Sequence, residues 1–131
     1  MKSMKKQILW ILIASLFLLW GCKSDFNDSY KTYRASKFQS KHPTWDDETV
    51  MKLAKRKIEP GMTAEMVREA FGKPDSIEKE GDVEKWGYAY YEMEGYGKSP
   101  MKTYAYFVYI QEFIVIKTTG SPNVLEQYNK P

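Results

Sequence analysis

Residues 58–74 read IEPGMTAEMVREAFGKP, and the reading of this stretch decides the fold. Pro60 keeps its predecessor out of a helix and Gly61 accepts a positive φ, so the pair ends whatever comes before. Thr63 then stands where a helix N-cap is needed, its hydroxyl placed to accept a free backbone N–H. Met62 and Val67 have the spacing of a hydrophobic staple, and Glu65 puts a negative charge in the first turn. Met66, Val67, Ala70 and Phe71 form one apolar face at helical spacing. Gly72 supplies the glycine that closes a helix, and Pro74 blocks its continuation.

Upstream, Thr44 to Ile58 predicts a first helix. Thr44 is its cap, Asp46, Asp47 and Glu48 lie in the opening turn, and Val50, Met51, Ala54 and Ile58 form the buried stripe. Glu48 and Lys52 make an i, i+4 pair in the favourable order. Lys55, Arg56 and Lys57 are read as cations on the negative end of the dipole.

Downstream of Pro74 the period changes to two. Ser76 to Lys79 begins a strand, with Gly81-Asp82 as a turn before the next. From Lys85 to Tyr91, Trp86, Tyr88 and Tyr90 share one face, and Gly87, Ala89 and Tyr91 the other, which fits a sheet buried on its large-ring side. Lys102 to Thr118 predicts a hairpin folded at Gln111-Glu112. That pairing sets Tyr109 against Ile114 and Phe107 against Ile116 as the core face, and Val108 with Val115 and Tyr106 with Lys117 on the other. Gly120 and Pro122 stop the sheet, and Val124, Leu125 and Tyr128 have the spacing of a short docking helix. The expected fold is a small α+β domain in the order α-α-β-β-β, two helices on one face of a three-stranded antiparallel sheet.

The run Gly61, Met62, Thr63, Val67, Gly72, Pro74, followed by Trp86 and Tyr88 and an aromatic strand pair ending near Thr118, resembles the signature of the SmpA/OmlA lipoprotein family, the BamE-like domains of the outer-membrane β-barrel assembly machinery. The same grammar of helix and turn occurs in domains similar to β-lactamase-inhibitory protein. The resemblance transfers fold-signature positions and no binding residues. It implies a non-catalytic envelope protein that scaffolds an outer-membrane protein complex. The alternative is a protein inhibitor or ligand-sensing module.

The N-terminus agrees with an envelope destination. Lys2, Lys5 and Lys6 precede an apolar stretch from Ile8 to Trp20, the form of a signal peptide. Leu19-Trp20-Gly21-Cys22 resembles a bacterial lipobox, with cleavage between Gly21 and Cys22 and lipid on the cysteine. The chain holds one Cys, so no internal disulfide is available. The covalent diacylglycerol and fatty acyl chains on Cys22 would be the anchor to the membrane, and no other cofactor is expected. Lys23 follows the cysteine, which favours the outer membrane.

The expected organisation is thus a signal peptide over 1–21, a lipidated tether over 22–43, the α+β domain over 44–119 and a tail over 120–131. The tether is polar and basic, suited either to anionic headgroups or to a solvated linker. Phe26, Tyr30 and Tyr33 are spaced as a helix face that could order on binding.

Composition narrows the function. The chain carries 20 Lys and Arg against 17 Asp and Glu. Three of the lysines lie in the signal segment, which has no acid, so the remainder is formally neutral and nucleic acid is not an expected partner. His42 is the one histidine and Cys22 the one cysteine, too few for a metal site or a nucleophilic triad. Gly97-Lys98-Ser99 lacks the upstream glycine of a phosphate loop, and Glu92 and Glu94 have no neighbour to separate their pKa values. The chain has 10 tyrosines. Tyr91, Tyr104 and Tyr106, with Lys117, are the expected partner-binding residues on the sheet face away from the helices. A second layer from the chain's own tether or tail, or a second copy, would cover the same rings.

Overall fold

Thr63 caps its helix as a free N-terminus requires: its Oγ1 accepts the Met66 N–H at 3.2 Å, the helix runs Ala64–Phe71, and Gly72 ends it at φ 78°. This helix belongs to a computed structural model that describes residues 26–128. The signal segment, Gly21 and Cys22 lie outside the described residues. The chain divides into the units Met1–Tyr30 and Lys31–Pro131, and the packing described below is that of the second.

The elements are α1 (Phe26–Lys41), α2 (Asp47–Ala54), α3 (Ala64–Phe71), β1 (Ser76–Glu80), β2 (Val83–Glu92), β3 (Met101–Gln111), β4 (Ile114–Gly120) and α4 (Pro122–Tyr128). The fold is α+β, with helices and one antiparallel sheet in the order β1-β2-β3-β4. The sheet has four strands where three were expected. Ser76–Glu80 pairs along its whole length with β2, because Gly81, at φ 62°, folds the chain straight back.

The helices differ from expectation at their ends. The cap of α2 is Asp46, not Thr44: one carboxylate oxygen accepts the Thr49 N–H at 2.9 Å and the other accepts the Thr49 hydroxyl at 2.7 Å. A carboxylate that meets both donors outcompetes a threonine two residues earlier. The helix stops at Ala54, before Arg56 turns left-handed at φ 55°. The expected Glu48–Lys52 pair is present at 2.8 Å.

The larger correction concerns the region read as a tether. Residues 26–41 are helical, and α1 buries Ala35 and Phe38 in the core. Arg34 holds it there. Its guanidinium donates to the carbonyl of Ala54 at 3.3 Å and to that of Ala70 at 3.0 Å, satisfying the C-terminal ends of α2 and α3 together. A cation at two helix C-termini meets both dipoles with the favourable sign. Gln39 adds a donor to the carbonyl of Trp45 at 3.1 Å, and Lys41 pairs with Glu69.

The helices cover the sheet face carrying Trp86, Tyr88, Tyr106, Val108, Ile110 and Val115. Leu53, Val67, Val108 and Val115 are fully buried, and each such side chain contributes about 1.5–3 kcal/mol by leaving water. The faces of β3 and β4 are therefore the reverse of those expected. The turn is Glu112-Phe113, both at positive φ (49° and 65°), one residue later than Gln111-Glu112. A further irregularity lies between Tyr109 and Ile110, so Ile110 meets Val115 and Tyr109 meets Lys117. Moving the turn by one residue slides the pairing by two and leaves each side chain on its own face. It is the irregularity at Tyr109/Ile110, with Ile116 as the extra residue, that takes Lys117 off the face of Val108 and Val115 and leaves that face free for the core. The tail ends in α4, where Leu125 is buried and the Ser121 N–H donates to the Ala105 carbonyl at 2.9 Å.

Candidate partner-binding face

Signature residues identified in the sequence build the domain. Met62, Val67, Pro74, Trp86 and Tyr88 are all buried. Gly61, at φ 93°, adopts a backbone that side chains resist, and its N–H donates to the Val115 carbonyl at 2.9 Å. The Tyr88 hydroxyl donates to the carbonyl of Gly72 at 3.1 Å, and burial pushes its phenol pKa up. These groups hold the loop before α3 and the end of α3 against the sheet.

Four residues were expected to meet a partner, and the structure separates them. Tyr91 and Tyr104 stand on the outer face of the sheet, 51% and 39% exposed. Lys117 is exposed on the same face, its Nζ 4.3 Å from the centre of the Tyr109 ring. Tyr106 is corrected: it is 3% exposed and lies in the core, its ring 5.2 Å from Phe71. The chain bulges where Tyr88 pairs Tyr106 but Ala89 pairs Tyr104. The extra residue, Ala105, breaks the simple alternation and sends the two tyrosines to opposite sides.

Sequence reasoning had placed Phe107 and Tyr109 in the core, and they belong to the outer face. Tyr104 and Phe107 stack at 5.9 Å. Beneath Tyr104 lies Gly87, where an added Cβ would come within 3.0 Å of the ring. Small residues on β2 thus leave room for the large rings of β3.

Lysines are interleaved with these rings. Lys85 lies 4.5 Å from the Phe107 ring centre, and Lys102 lies 5.3 Å from Tyr104 and 6.0 Å from Tyr91. Burial lowers the Lys102 pKa, but its hydrogen bond to Tyr104 and the charges of Tyr104, Tyr91 and Asp75 outweigh it, and the net shift is upward. The outer face is therefore a strip of rings whose faces are presented to cations. Among the described residues, the carboxylates paired with these lysines are Glu78, 3.7 Å from Lys85, and Asp75, 3.8 Å from Lys102.

This surface has area and charge. It suits recognition of another macromolecule, where aromatic rings bury area at little entropic cost and lysines set orientation. Above it the 93–100 loop is exposed throughout, with Met93 at 71% and Tyr96 fully in solvent. Among the described residues no group of three or more His, Cys, Asp or Glu is placed to hold a metal ion, and no helix is long and apolar enough to cross a membrane.

Comparison with known families matches residues 49–120 to the outer membrane protein assembly factor BamE domain. The match runs from α2 through β4 and leaves α1 and α4 outside it. No curated protein and no solved structure matches the chain.

Proposed function

The chain belongs to the BamE domain family of outer membrane protein assembly factors, and from that premise we propose that it is a lipid-anchored, non-catalytic accessory subunit of the machinery that assembles β-barrel proteins in the outer membrane. The family is one of assembly factors rather than enzymes and is associated with the outer membrane. Acylation of Cys22 would hold the domain at the membrane, where a high effective concentration lets a modest protein interface suffice. The contact with the assembly machinery would be the outer sheet face.

The observation that carries this reading is the strip of Tyr91, Tyr104, Phe107 and Tyr109 with Lys85, Lys102 and Lys117. It lies within the matched region, opposite the face that the helices cover.

A photo-crosslinking residue at Tyr104, in cells expressing the full chain, tests it. Expected is a crosslink to barrel-assembly subunits, and loss of that crosslink when Cys22→Ser removes the acylation site. A crosslink to a soluble periplasmic enzyme would favour the inhibitor reading instead. A crosslink to a second copy of the chain, or to its own tail, would overturn the outer face as a partner site.

A further inference from the structure

A second surface lies on the helix side of the sheet, away from the aromatic strip. The outer side of α3 and the turns β1–β2 and β3–β4 enclose a cleft of about 890 Å³. Trp86 and Ile110, both buried, lie beneath it, and Phe113 stands at its rim, 81% exposed. Its walls carry the carboxylates of Glu65, Glu69, Asp82, Glu84 and Glu112 against one guanidinium, Arg68.

The chain's own cations answer only part of that charge. Glu69 has Lys41, Glu84 has Lys79 at 3.5 Å, and Glu65 faces His42 at 3.9 Å. Asp82 and Glu112 have no ion pair among the described residues. The backbone nevertheless brings them together: Val83 pairs with Gln111, so the next residue on each strand is one of these acids. Like charges at neighbouring sheet positions repel.

The cleft also displays how it receives a cation. The Arg68 guanidinium lies 5.0 Å from the centre of the Trp86 ring, whose indole N–H donates to Glu84 at 2.9 Å. An aromatic face with a carboxylate beside it is a recognition unit for a Lys or Arg side chain. Glu112 and Phe113 bring a carboxylate and an exposed ring to the rim in adjacent positions of the turn, and among the described residues no cation is paired with Glu112.

From the open cleft, the exposed ring at its rim and the acidic walls on which Asp82 and Glu112 stand unpaired among the described residues, we infer that this cleft docks an extended segment of another protein bearing Lys or Arg side chains. The aliphatic stems lie on Phe113 at the rim, and the charged ends reach Asp82 and Glu112. The outer face and the cleft then bind through opposite charge, and the domain can hold two partners at once. This inference does not rest on the role assigned to the outer face.

The test is fluorescence anisotropy with the full acylated chain in non-ionic detergent, titrated into a labelled peptide of alternating lysine and valine. Expected is saturable binding that weakens as salt rises and drops about tenfold or more in Asp82→Asn/Glu112→Gln. Phe113→Ser weakens it severalfold, and Lys85→Glu/Lys117→Glu on the outer face leaves it in place. The two acids sit on exposed turns, and an unchanged thermal melt shows that the double variant is folded. The inference is overturned if the lysine peptide does not bind, if the double variant binds as tightly as the parent, or if a glutamate–valine peptide binds equally well. The crosslink at Tyr104 reports on the other face, so either reading can fail without the other.

Discussion

Glu112 and Phe113 occupy a two-residue hairpin turn with both φ values positive, a conformation that favours Asn-Gly and strains other residues. Glu112→Asn/Phe113→Gly is therefore expected to stabilise the domain by about 1 kcal/mol, read as a higher urea midpoint at unchanged slope. The same change removes the ring and carboxylate at the rim of the cleft, so a gain in stability with a loss of peptide binding is the expected combination. Gly120 has the opposite sensitivity. At φ 84° an added Cβ would lie 2.1 Å from the Ala105 carbonyl oxygen, so Gly120→Ala should cost at least about 2 kcal/mol. The tyrosines separate in the same way. Tyr106→Ala should cost about 3–5 kcal/mol, as a buried ring does, whereas Tyr104→Ala should change stability by less than about 1 kcal/mol and abolish a crosslink formed from a photo-crosslinking residue at Tyr109. From the sequence alone these two tyrosines were equivalent, two residues apart on one strand. Only the extra residue at Ala105 distinguishes them, and a bulge is settled by the partner strand, not by the strand that carries it.

The elements that could be read from the sequence are those whose ends are chemically local. Thr63, Gly72 and Pro74 define α3 through atoms a few residues away, and the helix appears where they place it. Where long-range contacts decide, the sequence misleads. The hairpin turn was placed one residue early because Gln111-Glu112 looks more polar than Glu112-Phe113, while its position is held by Gly61–Ala64. Its face was inverted because Lys117 seemed to share a side with Val108 and Val115, and the bulge after Tyr109 moves it to the other. The Ala64 N–H donates to the Phe113 carbonyl and the Val115 N–H to that of Met62, each at 2.8 Å. The candidate site suffered with it, since Phe107 and Tyr109 were assigned to the core. Helix α1 was read as a tether that could become helical on binding through Phe26, Tyr30 and Tyr33, because only Ala35 and Phe38 mark its buried side, and because its main attachment, Arg34, looks in sequence like one more solvated cation. Arg34→Ala leaves the last carbonyls of α2 and α3 without that donor. The expected cost is about 1.5–3 kcal/mol, with amide exchange protection falling first in α1. Arg34→Lys should recover only part, since one ammonium cannot reproduce a fork that spans two helix ends.

At the scale of the whole molecule, the carboxylates with lowered pKa values lie mostly in the helical layer and its joints. The Thr49 N–H beside Asp46, the Lys52 ammonium on Glu59, the Lys41 ammonium on Glu69 and the Trp86 indole on Glu84 each hold a carboxyl below its ordinary value. A lowered folded-state pKa means that the unfolded chain binds more protons between the folded value and the ordinary one. Stability is thus complete above the ordinary values, 3.8 for Asp and 4.5 for Glu, and is lost as pH falls through the folded ones. The melting temperature should be flat from about pH 7 to about pH 5 and decline below that. Asp46 is exposed and Glu59, Glu69 and Glu84 are partly exposed, so the decline should be shallow and smaller in high salt. Three of the four attachments tie down helices or their connections, and Glu69 joins α3 to α1 through Lys41. Acid should therefore loosen α1 before it opens the sheet, and amide exchange measured near pH 4 should show α1 unprotected while β2 and β3 remain closed. Glu69→Gln separates this from general charge repulsion: it should leave α1 weakly protected already at neutral pH and flatten the dependence on acid. Equal loss of protection in α1 and β3 at every pH would show that helix and sheet open as one unit, and that Arg34 and the buried faces of Ala35 and Phe38 hold the layers together regardless of Glu69.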